Sequence, residues 1–273
     1  MPIFMDRHHL ADVTAVDIAE AHRKDLELQD QYGVKFLTYW FDSQRGTTFC
    51  LVDAPDMDTA QCVHREAHGF VAEEIVEVSL SAVEAFLGRI HDPKPTGGAA
   101  NPDMDSGHRA IMFTDMVGST GMTQRLGDRL ATELVRAHDA IVRRCLREFG
   151  GREVKHTGDG IMASFAGTVE AVDCAKAIQK EFQRFNARNP EPIHVRIGLD
   201  CGEPVADGND LFGSTVQLAA RLCAAASADQ ILVSESISRE HGVPAAFGRA
   251  KRRRLKGFLQ PMLSFECTWL GET

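Results

Sequence analysis

Residues 111–120 read Ile-Met-Phe-Thr-Asp-Met-Val-Gly-Ser-Thr. Apolar and β-prone residues lead into one acid, Asp115, and a Gly118-Ser-Thr120 turn follows at once. This is the pattern of a buried strand delivering a carboxylate to its end, beside a loop whose backbone can approach a phosphate. A second acid, Asp159, stands in an equally tight Thr157-Gly-Asp-Gly160 turn between Val154 and Phe165. Two carboxylates held at strand ends beside Gly-rich turns predict a divalent-cation and nucleotide site. Their hard oxygen ligands favour Mg²⁺ or Mn²⁺ over zinc.

Outward from that stretch the periodicity predicts a strand at 110–113, a helix at 128–149 and a hairpin at 153–156 and 161–165. A helix at 169–186, a strand at 194–199, a short helix at 215–224 and closing strands near 231–233 and 262–269 follow. The core order is β-α-β-β-α-β with elements appended. The first ninety residues carry the same order. A strand at 3–7 precedes a helix that starts on the capping box Thr14-x-x-Asp17 and ends at Gly33. A hairpin at 34–41 and 47–52, a helix from Pro55 to Gly69 and a strand at 75–78 complete it. The fold class is therefore α+β, with two ferredoxin-like βαββαβ domains, the second elaborated. Ser79 caps a further amphipathic helix with Leu80, Val83, Leu87 and Ile90 on one face. The expected domains are 1–90, a Pro/Gly-rich linker at 91–106, and 107–273. No fixed-period similarity relates the two halves.

The chain has 273 residues, 44% hydrophobic and 25% charged, which is enough for two cores. A net charge of −9 argues against general nucleic-acid binding. Seven scattered cysteines without a Cys-x-x-Cys pair read as reduced, mostly buried small hydrophobes. With no signal-like N-terminus and no run approaching a membrane span, a soluble, cytoplasmic protein is expected. The one basic run, Lys251-Arg-Arg-Arg254, reads as a solvated strand edge.

Four further residues accompany the acids. Gln217 and Arg221 stand four apart, on one face of the 215–224 helix. The small residues Ala219, Ala220, Ala224 and Ala225 let that helix lie close to whatever it packs on. Lys155 precedes Asp159 by four, and Asp210 opens the loop into the Arg221 helix. Phe113-Thr-Asp-Met-Val-Gly-Ser-Thr120, Lys155-His-Thr-Gly-Asp159, Asp210-Leu-Phe-Gly-Ser-Thr-Val-Gln-Leu-Ala-Ala-Arg221 and Leu255-Lys-Gly-Phe258 resemble the signature segments of class III nucleotidyl cyclases. The four segments occur in the family's order and cover about residues 107–270.

The resemblance implies roles residue by residue. Asp115 and Asp159 match the aspartates that hold two Mg²⁺ or Mn²⁺ ions per active site. Lys155 and Asp210 match the pair that reads adenine, where guanylyl cyclases usually carry Glu and Cys or Ser, so ATP is the expected substrate. Arg221 matches the arginine that stabilises the transition state. Met116, Val117, Gly118, Ser119 and Thr120 would lie against the triphosphate. The implied reaction is that of an adenylate cyclase, a phosphorus–oxygen lyase turning ATP into 3′,5′-cyclic AMP and pyrophosphate in intracellular signalling. In this family each site draws on both protomers, so a homodimer is implied. One departure stands out: Gln217 occupies the place of the family's Asn and is one methylene longer. It keeps open an alternative, a metal-binding signalling module with a degenerate cyclase domain. A guanylyl cyclase is a further alternative.

In the N-terminal domain His64 and His68 stand at i and i+4 on one helix face, a spacing that suits a transition metal. His8 and His22 add further nitrogens. Pro2-Ile-Phe-Met-Asp-Arg-His8, Tyr32-Gly-Val-Lys-Phe-Leu-Thr-Tyr-Trp40, Phe49-Cys-Leu-Val-Asp-Ala-Pro55 and Val63-His-Arg-Glu-Ala-His-Gly69 resemble a bacterial family of small ferredoxin-like proteins, some described as nickel-binding. The resemblance covers about residues 1–79 and implies Ni²⁺ or Zn²⁺ at His64, His68, His8 and His22. A sensor domain that biases the catalytic domain is the expected arrangement.

Overall fold

The computed structural model describes residues 1–92, 105–204, 206–207 and 210–270, and only the backbone of Ala206, Asp207 and Asp210. The expected 91–106 linker thus lies almost wholly outside the described residues. Two compact units are present, Met1–His108 with Pro204–Leu211, and Arg109–Glu203 with Phe212–Thr273.

In the first unit β1 (Ile3–His9), α1 (Ala15–Tyr32), β2 (Lys35–Asp42), β3 (Thr47–Asp53), α2 (Met57–Ala67), β4 (Glu74–Val78) and α3 (Leu80–Leu87) follow in order. The sheet runs β2-β3-β1-β4, all antiparallel, as the split βαβ plait requires. The predicted capping box forms: the Thr14 side chain accepts from Asp17 N, and Asp17 Oδ2 accepts from Thr14 N at 2.8 Å. Gly33 ends α1 in the left-handed region. The amphipathic helix predicted to reach Ile90 stops at Leu87, because Gly88 adopts φ 82° and turns the chain out. Phe4, Phe36, Val52, Ala60 and Val63 form one core cluster of this unit.

The second unit contains β5 (Arg109–Met116), α4 (Ser119–Glu148), β6 (Arg152–His156), β7 (Ile161–Phe165), α5 (Thr168–Asn186) and β8 (Val195–Gly202). A short ribbon, β9 (Ala206–Asp207) and β10 (Asp210–Leu211), which groups with the first unit, comes next in the chain, and α6 (Gly213–Ala225) follows it in the second unit. β11 (Ile231–Ser234), α7 (Glu235–His241), a 3₁₀ turn at Pro244–Ala246, β12 (Lys251–Arg253) and β13 (Met262–Glu266) complete the chain. The seven-stranded sheet runs β12-β13-β11-β8-β5-β7-β6. Its four strands β8-β5-β7-β6 repeat the plait order of the first unit, and β11, β13 and β12 extend it beyond β8. β12 carries the basic run and closes one edge, as predicted.

Strand alternation divides the second unit into two faces. Ala110, Met112 and Met116 of β5 and Val195, Ile197 and Leu199 of β8 join the main core with Ala171, Ile178 and Phe182 of α5. The intervening residues face the other way, where α6 lies. Gly198 permits this: a Cβ there would stand 2.1 Å from Cys223 N and 2.4 Å from Ala219 O. Ala219 and Cys223 of α6 are buried against the sheet, but Ala224 and Ala225, expected to pack closely, are exposed, and Gln217 and Arg221 project from an exposed side of the helix.

Two readings of the second unit are corrected. The helix predicted from 128 begins at Ser119, with a kink at Gly127 (φ 76°) dividing it. The short amphipathic turn before the glycine carried too few apolar positions to show a period. Ser119 and Thr120, expected in a loop, are its first residues. The β9–β10 ribbon, α7 and the 3₁₀ turn gave no sequence signal, being too short for one. Six of the seven cysteines are buried and all are free.

Replacing Gly198 by Ala should destabilise the second unit by about 1–3 kcal/mol, because the added methyl meets helix backbone and not a movable side chain. Urea denaturation of Gly198→Ala against wild type measures it, and an unchanged midpoint would contradict the packing.

Candidate functional site

The two predicted acids of the second unit are brought to one end of its sheet by backbone contacts. Met116 N donates to Asp159 O at 3.0 Å, and Thr157 N donates to Gly160 O at 2.9 Å. The Asp159 turn is thereby closed on itself and tied to the end of β5. Gly160 makes the approach possible, since a Cβ would stand 2.0 Å from Thr114 O. The Ser119 hydroxyl donates to Asp159 Oδ2, linking the turn to the first residue of α4. Gly118, at φ 73°, caps that helix without a side-chain bond, so the first-turn amides of α4 have no side-chain cap.

Asp115 lies opposite Arg196 in the β5–β8 register. Arg196 reaches it with Nε at 2.6 Å and Nη2 at 2.5 Å, both to Oδ2, while Nη1 donates to Ala224 O at 3.1 Å. One guanidinium thus joins the acid to the C-terminal end of α6. Arg196 was not singled out in the sequence; its place opposite Asp115 depends on strand register, which no local pattern states. Cys223, buried under α6, has its thiol pushed up to about 12, first by burial and then by the charge of Asp115, with a contribution from Asp159. Both acids therefore act on one buried sulfur. Their oxygen-only chemistry, with a serine hydroxyl beside Asp159, fits a hard divalent cation.

Lys155 is exposed on the edge strand β6, and Gln217 and Arg221 are exposed on α6. The Asp210 side chain lies outside the described residues. A single protomer therefore does not bring Arg221 to a buried site.

In the first unit the structure brings three of the four predicted histidines together around two acids that sequence reasoning missed. His64 Nε2 lies 2.7 Å from Asp6 Oδ2, and His8 Nε2 lies 3.1 Å from Asp6 Oδ1. On its other side His64 Nδ1 lies 3.1 Å from Asp25 Oδ1, and His68 Nε2 lies 3.2 Å from Asp25 Oδ2. Asp6, His64 and Asp25 are at most 1% exposed. Asp6, His8, Cys50 and His64 offer one ligand atom each within 4.8 Å of one another, and so do Asp25, His64 and His68. His22 joins neither set; it pairs with Asp92 Oδ2 at 3.0 Å.

A cavity of about 20 Å³ is lined by His8, His22, Asp25, Cys50, His64 and His68, among others. That is room for a single ion or water. His8 Nδ1 and His22 Nδ1 are buried without a hydrogen-bond partner, which polar atoms in a finished core rarely are. Imidazoles, carboxylates and one thiol form a donor set that fits a transition metal. Burial works against charge on His64, yet Asp6 and Asp25 hold its pKa up at about 10. Burial likewise opposes ionisation of Asp6 and Asp25, and the histidines outweigh it, leaving both well below the usual carboxylate range or lowered within it. The missed acids had a readable signal: Asp6 is two before His8 on one strand face, and Asp25 is three after His22 on one helix face.

Residues 104–257 match the family described as the adenylate and guanylate cyclase catalytic domain. The chain belongs to this family. Residues 4–78 match the family described as nickel responsive protein SCO4226-like. The putative adenylate cyclase 3 of Rhizobium meliloti is 32% identical over 130 residues, 47% of this chain and 22% of that protein. The adenylate cyclase of Streptomyces coelicolor is 29% identical over 179 residues, 62% of this chain and 45% of that one. The chain spans less than half the length of these curated relatives. Among solved structures, the adenylyl cyclase CyaB from P. aeruginosa superposes with a TM-score of 0.51 at 23% identity, over 59% of this chain and 93% of that one. The guanylate cyclase domain of RhGC from Catenaria anguillulae, solved with GTP, gives 0.52 at 21%, over 59% and 96%. These two share the fold. No helix among the described residues is long and apolar enough to cross a membrane.

Asp6→Ala removes the carboxylate shared by two buried histidines and should cost about 3–5 kcal/mol in the first unit. Fluorescence of buried Trp40 during urea unfolding, in a Trp269→Phe background, reads it. A loss under about 1 kcal/mol would show that the pair is not maintained in solution.

Proposed function

We propose that this cyclase is an adenylyl cyclase that forms 3′,5′-cyclic AMP and pyrophosphate from ATP at a twofold homodimer interface. The N-terminal domain is proposed to bind Ni²⁺ or Zn²⁺ and to bias the catalytic domain. The expected division at 1–90, 91–106 and 107–273 goes with this reading. The observation that carries it is the separation of the two halves of the site. Asp115 and Asp159 meet at the sheet end, while Lys155, Gln217 and Arg221 face solvent in the same protomer. Exposed residues of this chemistry find their use when a second copy presents them to the first copy's acids.

Asp115 and Asp159 would hold two Mg²⁺ or Mn²⁺ ions, which lower the pKa of the ribose 3′-hydroxyl and neutralise the triphosphate. The uncapped first turn of α4, from Gly118 through Thr120, offers backbone N–H groups and a positive helix end to the phosphates. Lys155 donates to the adenine ring nitrogen, and Asp210 accepts from the exocyclic amine. Gln217 orients the ribose through its amide. The 3′-oxygen attacks the α-phosphorus in line, the bond to the bridging oxygen breaks, and pyrophosphate leaves. Arg221 stabilises the charge that develops on the pentavalent phosphorus.

The full chain with Mn²⁺ or Mg²⁺ should form cyclic AMP from ATP in preference to cyclic GMP from GTP. No cyclic nucleotide from either substrate would overturn the enzymatic reading, and preference for GTP would overturn the assignment of the base. Asp115→Ala and Arg221→Ala should each lose at least about 10²-fold in kcat. Mixed together, they should recover about a quarter of wild-type activity, because half the dimers then hold one intact site of two. No recovery would argue against shared sites. For the N-terminal domain, calorimetry should show Ni²⁺ or Zn²⁺ uptake by wild type that His64→Ala and His68→Ala each weaken; a wild type that takes up neither metal would end that assignment.

A further inference from the structure

His156 immediately precedes the Thr157–Gly160 turn that carries Asp159. It ends the edge strand β6 with its side chain 35% exposed. Its Nδ1 receives the backbone N–H of Gly158 at 3.3 Å. Its Nε2 lies 2.9 Å from Asp139 Oδ2, in the middle of α4. An ionised carboxylate only accepts and an amide N–H only donates. One form of the ring meets both contacts: neutral, with its proton on Nε2.

Asp139 is itself fixed. It receives His138 Nδ1 at 3.0 Å and Arg143 Nη1 at 3.4 Å, and burial, which raises its pKa, is outweighed by His138 and His156 so that it stays ionised. Arg143 reaches on to Glu153 of β6 with Nε at 2.6 Å and Nη2 at 2.8 Å. The end of β6 is thus strapped to α4 at two points, Glu153 and His156. From that strap His156 holds the amide of Gly158, a residue at φ 95° directly before Asp159.

We infer that His156 is a positioning residue for the cyclase reaction: it acts as a side-chain cap on the Thr157–Gly160 turn, setting where Asp159 presents its carboxylate. The i to i+2 bond from Nδ1 copies the geometry that Asn and Asp use in Asx turns. On the β5 side the turn is set by Met116 and Gly160. His156 supplies the hold from the outer side, and it does so without touching nucleotide. The inference rests on the reading of Asp159 as a cation ligand.

Two substitutions separate the two contacts of the ring. His156→Asn places an acceptor where Nδ1 was and gives up the reach to Asp139. His156→Gln keeps an amide at the distance of Asp139 and gives up the i to i+2 acceptor. Three readouts apply to the full chain: Mn²⁺ binding followed by electron paramagnetic resonance, kcat and KM with ATP, and amide hydrogen exchange at Gly158 by NMR. His156→Asn should keep Mn²⁺ affinity and kcat near wild type, with Gly158 protected. His156→Gln should lose about 10-fold or more in Mn²⁺ affinity and kcat, the range for outer contacts of a metal ligand. KM for ATP should change little, and Gly158 should exchange faster. Equal behaviour of the two variants, or an unchanged His156→Gln, overturns the inference. A wild type that neither binds Mn²⁺ nor cyclises nucleotide overturns the cyclase site instead, and the Gly158 exchange contrast still decides whether His156 holds the turn.

Discussion

The second unit depends on a backbone approach that no side chain could survive. Gly160 lies against the carbonyl of Thr114 at a distance where a Cβ would have to overlap it. That contact lets Met116 bond to Asp159 O and sets the second acid beside the end of the strand that carries the first. A similar constraint works where α6 packs on the sheet. Gly198 gives α6 a seat on β8, and the seat fixes which residues of the helix face inward. Arg196 then ties the two regions, with one guanidinium shared between Asp115 and the last turn of the helix. The chemistry is thus set by where glycine lets chain meet chain.

The first unit meets a different physical demand. Two carboxylates, Asp6 and Asp25, are withdrawn from water almost completely. Isolated charges in such surroundings are costly, so the histidines are needed for the fold to tolerate them. His64 stands between the acids with one nitrogen toward each. Nδ1 of His8, on the Asp6 side of this arrangement, stays buried without a hydrogen-bond partner.

What could be read from the sequence follows from the range of each signal. The two plaits were legible because strand alternation, helix periodicity and the Thr14–Asp17 cap are local. The motif segments were legible for the same reason, as short runs around Asp115, Asp159 and Arg221. Asp6 and Asp25 each share a face with a histidine, but nothing local says that this face is buried, and a buried acid then reads like a surface acid. Arg196 escaped because its partner is 81 residues away and is set by register. The helix start at Ser119 was hidden by a kink: Gly127 breaks the period that would have announced the preceding turns. The side of α6 that packs was not legible, because small residues on a helix say that one side packs closely without saying which; Ala219 is buried, whereas Ala224 and Ala225 are exposed.

The exposure of Lys155, Gln217 and Arg221 also bears on how such a domain can change over evolutionary time. Exposed positions tolerate substitution within about 0.5 kcal/mol, whereas enlarging a close-packed glycine is penalised several-fold more. Gly160 and Gly198 are therefore frozen, while positions 155 and 217 can be exchanged at almost no cost to folding. Gln217, one methylene longer than its family counterpart, is a substitution of this kind. Selection can therefore change the exposed positions 155 and 217 by single steps, and every intermediate along the way still folds.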